Sequence, residues 1–107
     1  MKITSANDIS PLYDKDGVTG RRMRTRPNVE IIHMKLEPGA VLAPHTTPFD
    51  VDFFTHQGTA VYLVEDQEIV AEAGTILGCP GQTPHGIRND TDSAIIVLVI
   101  KYMAGES

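Results

Sequence analysis

Short runs of β-branched and apolar residues, each ended by glycine, proline or acidic residues, repeat along most of this chain. From residue 29 onward they recur at intervals of roughly 8–12 residues, the spacing typical of strands in antiparallel sandwiches and barrels. No helix-length stretch carries apolar side chains at three-and-four spacing with caps at both ends. The sequence therefore predicts an all-β, antiparallel fold with essentially no long helix.

The predicted strands cover residues 29–36, 51–55, 59–64, 67–73, 75–79, 87–89 and 94–103. The last run is apolar on both faces, which predicts that it is buried by a second sheet or by another subunit. A chain of 107 residues has room for one domain. We expect residues 1–28 to form an N-terminal arm with a possible edge strand, with at most one strand in residues 1–20, and residues 29–107 to form the barrel domain.

Charge is distributed unevenly along the chain, whose net charge is −5. Residues 1–26 hold six basic and three acidic groups, whereas the remainder holds three basic and eleven acidic groups. Nucleic-acid binding draws its affinity from lysine and arginine on phosphates, so an acidic chain is a poor candidate for it. We therefore expect no nucleic-acid partner, and the arginine cluster near the start needs a local explanation.

Cysteine content and hydropathy indicate the compartment. Cys79 is the only cysteine, so no internal disulfide can form and nothing favours a secreted scaffold. The longest apolar run, residues 94–100, is far shorter than the ~20 residues that a membrane-spanning helix needs, and no charged-then-apolar leader opens the chain. We expect a cytoplasmic protein with no membrane partner, and we expect Cys79 to be a buried, unreactive thiol.

Two windows of glycine, proline and histidine occur in order. The first runs through Gly39, His45, Thr47, Val51 and Gly58. The second runs through Gly74, Pro80, Gly81, His85 and Asn89. Together they resemble the cupin superfamily, in particular its small single-domain members with a conserved type-2 barrel, whose motifs are G-x5-H-x-H-x3/4-E-x6-G and G-x5-P-x-G-x2-H-x3-N. Gln82 stands where the family has its second glycine.

This resemblance implies an antiparallel double-stranded β-helix, or jelly-roll barrel, that holds a small ligand, in many family members beside a divalent metal such as Zn, Fe, Mn or Ni. Carried over by position, His45 and His85 match metal ligands. Thr47 and Val51 replace the second histidine and the glutamate, and neither is a good ligand for a transition metal. Asp50 and Asp52 flank Val51 but point to the opposite face of a regular strand, so only a bulge would bring them inward.

The remaining histidines and the arginines have two interpretations each. For His33 and His56 a surface or interface position is favoured, and His56 shares its face with Asp52 and Phe54. If the stretch is extended, alternation puts Arg22, Arg24 and Arg26 on one side, where they could bind a carboxylate or phosphate. Protection of a sheet edge, or pairing with the acidic remainder of the chain, is the favoured alternative.

Two functions remain open. One is a cupin that binds a small organic substrate, with an anion as one option, and acts as a divalent-metal-dependent enzyme. The other is a metal-free cupin that binds or senses a ligand without catalysis; the sequence does not decide whether the protein is an enzyme. The expected ligand-binding residues are Arg24, His45, Thr47, Val51, Phe53 and His85, of which His45 and His85 are the expected metal ligands. We also expect a homodimer, because the last strand is apolar on both faces.

Overall fold

The computed structural model describes residues 1–103, which fold almost entirely into strands and turns. These residues contain a single-turn 3₁₀ helix at Ala6–Asp8 and no α-helix. The strands are β1 (Tyr13–Lys15), β2 (Val18–Thr25), β3 (Val29–Leu36), β4 (Val41–His45), β5 (Asp50–Gln57), β6 (Thr59–Val64), β7 (Gln67–Glu72), β8 (Ile76–Cys79), β9 (His85–Arg88) and β10 (Ile95–Tyr102). Within residues 1–103, no helix has the length and hydropathy to cross a membrane.

Two antiparallel sheets form the fold. The larger has the strand order β1-β2-β3-β10-β5-β8, and the smaller has the order β4-β9-β6-β7. Side chains from both sheets make one buried cluster, to which β10 contributes Ile95, Val97 and Val99. The alternate residues of β10 lie half-buried on the outer face of the larger sheet. The predicted all-β jelly-roll class is confirmed, although the two sheets do not close into a continuous barrel.

Strands with a strong β-branched pattern lie where the sequence predicts them, and their bounds agree closely. The prediction omitted β4, because Pro44 interrupts its pattern. Proline lacks an N–H donor, and β4 tolerates it because this strand lies at the edge of the smaller sheet. The expectation of at most one strand in residues 1–20 is wrong, since they hold β1 and the first residues of β2, which lies between β1 and β3.

A bulge in β2 changes which way its arginines face. Arg22 pairs with Ile32 of β3, whereas Arg24 pairs with the next residue, Ile31, so that Met23 is the extra residue. Cross-strand partners share a face, and Ile32 is buried between the sheets while Ile31 lies on the outer face. The predicted regular alternation is therefore broken, and Arg22 and Arg24 belong to different faces.

The turn before β9 is held by close backbone contacts. Gln82, at the family's glycine position, adopts a left-handed φ of 66°, and its N–H donates to the Thr47 carbonyl at 2.7 Å. A Cβ on Gly81 would lie 3.1 Å from the carbonyl oxygen of Pro48. The turn therefore packs tightly against the loop after β4 and fixes the start of β9, where His85 lies.

Asn89, the last residue of the second window, joins three segments from a fully buried position. Its Nδ2 donates to the carbonyls of Leu36 and Ser93 at 3.0 and 2.8 Å. Its Oδ1 accepts from the backbone N–H and the hydroxyl of Thr91 at 2.9 and 2.7 Å. These four bonds satisfy the amide group and connect the end of β9 to the larger sheet.

Candidate ligand-binding cavity

A cavity of about 340 Å³ lies between the two sheets. Most of its surface is apolar, formed chiefly by Ile32, Met34, Leu42, Val51, Phe53 and Val99. Leu12 and Tyr13 from the N-terminal segment also contact it. The polar groups on its walls fall into two sets, one on each sheet.

On the smaller sheet, His45 and His85 are cross-strand partners from β4 and β9, with ring centroids 4.7 Å apart. Nδ1 of His85 lies 3.0 Å from the Thr83 carbonyl, and Nδ1 of His45 lies 3.4 Å from the Ala43 carbonyl. A carbonyl only accepts hydrogen bonds, so these contacts favour the tautomer in which Nδ1 carries the hydrogen, which in a neutral ring leaves the Nε2 lone pair free. Burial lowers the pKa of His85, against the opposing effect of its bond to Thr83.

The other positions of the first window do not complete a metal site. The Thr47 hydroxyl donates to the Phe49 carbonyl at 2.9 Å, and Val51 is buried at the cavity wall. Among residues 1–103, no group of three or more histidine, cysteine, aspartate or glutamate side chains is arranged to hold a metal ion. Two imidazoles beside a valine are a poor donor set for a resident transition metal, so the residues present do not fit one.

The aspartates that flank Val51 point away from the cavity, as the sequence predicts. Asp52 accepts a hydrogen bond from the Tyr102 hydroxyl at 2.7 Å, and Asp50 accepts one from the Gly81 N–H at 2.9 Å. The bulge needed to bring either carboxylate inward is absent from the paired stretch of β5 and β8 in the described chain, whose register is regular.

On the larger sheet, Glu30 lies between two cations. Its side chain is 12% exposed, pairs with the Arg22 Nε, and approaches the Lys101 Nζ at 3.8 Å. Lys101 is the cross-strand neighbour of both Glu30 and Val51, so the charges lie beside the position where the family has its glutamate. The Lys101 charge also contributes to lowering the pKa of His85. This wall carries two positive charges and one negative charge.

The cupin domain model matches residues 32–101, which is more than half of the chain. The chain belongs to the cupin family. No curated protein is similar enough in sequence to match it.

Solved cupin structures have the same fold at low sequence identity. A predicted oxalate decarboxylase from Thermotoga maritima is 15% identical with a TM-score of 0.85, covering 95% of this chain and 99% of that one. A cupin-superfamily sugar phosphate isomerase from Silicibacter pomeroyi is 19% identical with a TM-score of 0.80, covering 96% and 76%. The polyketide cyclase RemF from Streptomyces resistomycificus is 15% identical with a TM-score of 0.81, covering 100% and 87%.

Of the ligand-binding residues predicted for this cupin, five line the cavity: His45, Thr47, Val51, Phe53 and His85. Arg24 does not line it; Arg22 does, by its regular register with β3, and the bulge that follows turns Arg24 to the other face. Glu30 and Lys101 also line the cavity and are not among the predicted site residues. Each occupies an inward position of a strand whose other inward residues are apolar. A charged residue at such a position is the sequence feature that could have indicated a site residue.

Cys79 is buried beside the histidine pair of this cupin, with its Sγ 3.7 Å from Nδ1 of His85. The Thr83 carbonyl, 3.0 Å from the same nitrogen, favours the tautomer with hydrogen on Nδ1, in which that atom cannot accept a proton from the thiol. Burial, and then the charges of Glu65 and Asp50, raise the pKa of Cys79. The expectation of a buried thiol is confirmed, and its environment favours the protonated, unreactive form.

The outer face of the larger cupin sheet carries the remaining histidines. Val51, Phe53 and Thr55 of β5 point inward, whereas Asp52 and Phe54 point outward, as the parity of the sequence predicts; His56 is exposed and is the extra residue of a bulge opposite β10. His33 of β3 lies on the same outer face, and its Nδ1 is buried with no hydrogen-bond partner among residues 1–103. Neither His33 nor His56 lines the cavity.

Proposed function

We propose that this cupin binds a small organic anion with an apolar body in the cavity between its sheets. The observation that carries the proposal is the largely apolar cavity whose wall contains Glu30 between Arg22 and Lys101. A carboxylate needs cationic or N–H partners when it leaves water, and an apolar body gains about 25 cal/mol per Å² on burial. The cavity offers both.

Charge balance favours an anion over a cation or a neutral molecule. Glu30 neutralises one of the two cations, which leaves one positive charge on this wall for a ligand to compensate. His85 adds no positive charge while it is neutral, and its lowered pKa favours that form at neutral pH. Its Nε2 lone pair is available to accept a hydrogen bond or a proton from the ligand.

The names of structural relatives support a small-molecule ligand. They refer to oxalate, a sugar phosphate and a polyketide, which are small organic molecules, and the first two are anions. Because the sequence identities are so low, these names do not choose a reaction for this chain. We therefore propose only the class of ligand. Any reaction would take place beside the His45–His85 pair, which lines the same cavity.

Carboxylates paired with their amides test the proposal. Hexanoate and benzoate should bind, and hexanamide and benzamide should bind about tenfold more weakly, because a charge-assisted bond contributes roughly 1.5–3 kcal/mol. Lys101→Met should remove most of this preference. Lys35→Met, which removes a lysine paired with Glu37 outside the cavity, should leave it unchanged. Titration calorimetry measures both; equal binding of acid and amide would overturn the proposal.

A second candidate is a metal-dependent cupin in which the ligand itself completes the metal shell. The observation in its favour is that His45 and His85 each keep an Nε2 lone pair while Nδ1 faces a backbone carbonyl, the arrangement usual for metal-bound histidine. Titration of the purified protein with Zn, Mn, Fe and Ni, with and without hexanoate, tests it. Stoichiometric binding that His85→Ala abolishes would support this candidate, and failure of all four metals would refute it.

We also propose that the protein is a homodimer through the outer face of the larger sheet. Ile96, Leu98 and Ile100 of β10 and Phe54 of β5 form a half-buried apolar stripe there. A second copy would remove this stripe from water. Leu98→Glu should convert the dimer to a monomer in sedimentation, with the fold retained. A purely monomeric species for the unmodified protein at micromolar concentration would contradict the proposal.

A further inference from the structure

A second concave site lies outside the cavity, where the N-terminal segment runs beside β2. It has a volume of about 410 Å³ and is lined by Lys2, Thr4 and Ile9 on one side and by residues 22–26 on the other. We call it the arginine groove. Its lining includes four cations, Lys2, Arg22, Arg24 and Arg26, and among residues 1–103 no acidic side chain lines it.

Most of these cations lack an acidic partner in the fold. Arg22 pairs with Glu30. Within the part of the chain that the structure describes, no ion pair involves Lys2, Arg24 or Arg26. Pairing with the acidic remainder of the chain therefore accounts for Arg22 and leaves three cations along the groove, whose combined charge attracts an anion.

The groove is also held in place before any ligand arrives. Arg21 donates from its Nε to the Ile9 carbonyl at 3.0 Å and so fastens the N-terminal segment to β2. The Leu12 N–H donates to the Gly20 carbonyl at 2.9 Å a few residues further on. Because β1 pairs only with residues 18–20, the stretch from Arg22 to Thr25 is open on the groove side.

We propose that the arginine groove binds a small phosphorylated anion with at least two negative charges. Guanidinium groups bind phosphate oxygens through two parallel N–H bonds, and Arg24 and Arg26 supply two such groups on one short segment. Lys2 adds a third charge, and the hydroxyls of Thr4 and Thr25 can donate to the remaining oxygens. A ligand of this class is distinct from the singly charged, largely apolar one proposed for the cavity.

Pyrophosphate is the probe for this site, measured by titration calorimetry at low salt, where charge interactions are least screened. The double substitution Arg24→Gln/Arg26→Gln should weaken binding at least about tenfold, since each arginine contributes charge-assisted bonds. The control Lys15→Gln/Lys35→Gln removes the same charge from positions outside the groove and should change the affinity by less than about threefold. Equal weakening by both double variants would overturn the proposal.

Three further measurements distinguish this site from binding elsewhere on the molecule and from a larger ligand. Pyrophosphate should shift the backbone NMR signals of Thr4 and Thr25, and shifts confined to other residues would contradict the groove as the site. Lys101→Met should leave pyrophosphate binding unchanged even if the cavity proposal fails; a parallel loss would contradict the second site.

A single-stranded oligonucleotide should bind no more tightly than pyrophosphate. Tighter binding with a steep salt dependence would mean that the groove binds a nucleic acid and not a small anion.

Discussion

The two walls of the cavity differ in chemistry and in origin. The wall from the smaller sheet holds His45 and His85, which lie at family positions and present a lone pair each. The wall from the larger sheet holds Arg22, which belongs to the alternating arginines, and Glu30 and Lys101, which belong to no motif identified in the sequence. A positive charge carried by side chains therefore lies beside Val51, at the position where the family has a metal-binding glutamate. The wall of the smaller sheet therefore keeps the histidines of the family pattern, whereas the wall of the larger sheet supplies charged side chains.

Phe53 provides the strongest test of how the walls depend on each other. It lies on the larger sheet, is 2% exposed, and its ring centroid is 5.3 Å from that of His85. Phe53→Ala should lower the free energy of unfolding by about 3–5 kcal/mol, because it leaves a void between the sheets. Phe54→Ala, the adjacent residue on the outer face, should cost less than half as much in the same urea titration. Equal losses of unfolding free energy would mean that Phe53 at the cavity wall contributes no more to stability than Phe54 on the outer face.

Glu30 tests whether the charged wall is a single unit. Glu30→Gln should lower the free energy of unfolding by about 1–3 kcal/mol, because two cations then share one wall without a counter-charge. Glu37→Gln, which breaks the exposed pair with Lys35, should cost less than about 1 kcal/mol. Urea unfolding of both variants measures the difference. If Glu30→Gln is as mild as Glu37→Gln, the larger sheet holds independent surface charges instead.

The pH dependence of stability tests the contribution of His85 on the smaller sheet. Burial lowers the folded-state pKa of His85, so as pH falls the unfolded chain binds a proton first. The contribution is fully present above the unfolded pKa of about 6.5 and is lost as pH falls through that value toward the folded pKa. In chelator-containing buffer, His85→Gln should flatten the decline in unfolding free energy between about pH 7.5 and 5. An unchanged slope would show that His85 does not produce it.

The smallest expected effect concerns the turn that places β9. Gln82 has a φ of 66°, a conformation that costs a non-glycine residue about 1 kcal/mol. Gln82→Gly should therefore raise the free energy of unfolding by roughly 0.5–1 kcal/mol and leave the affinity for hexanoate unchanged. Thermal unfolding and calorimetry test the two parts. A loss of stability would show that the Gln82 side chain contributes more than its backbone strain costs.

The sequence predicts the smaller-sheet wall better than the larger one, for a physical reason. His45 and His85 lie in the two windows that resemble the cupin motifs, so the resemblance implies their place in the site. Arg22, Glu30 and Lys101 come from three strands, and only the strand register brings them together. Strand β4 was not predicted because Pro44 interrupts its β-strand pattern, which an edge strand tolerates. The course of β2 was missed because its bulge breaks the period of two from which strands are recognised.

The bulge at Met23 places Arg22 and Arg24 on different faces, although their alternation in the sequence predicts a shared face. Arg22 lines the cavity as well as the groove, whereas Arg24 lines only the groove, although a single residue lies between them. In a regular strand both would share one face, and a change of charge at either position would alter the interior. With the extra residue in place, a mutation of Arg24 leaves the cavity wall as it is. The charge of the groove can therefore evolve at Arg24 without changing the charge of the interior.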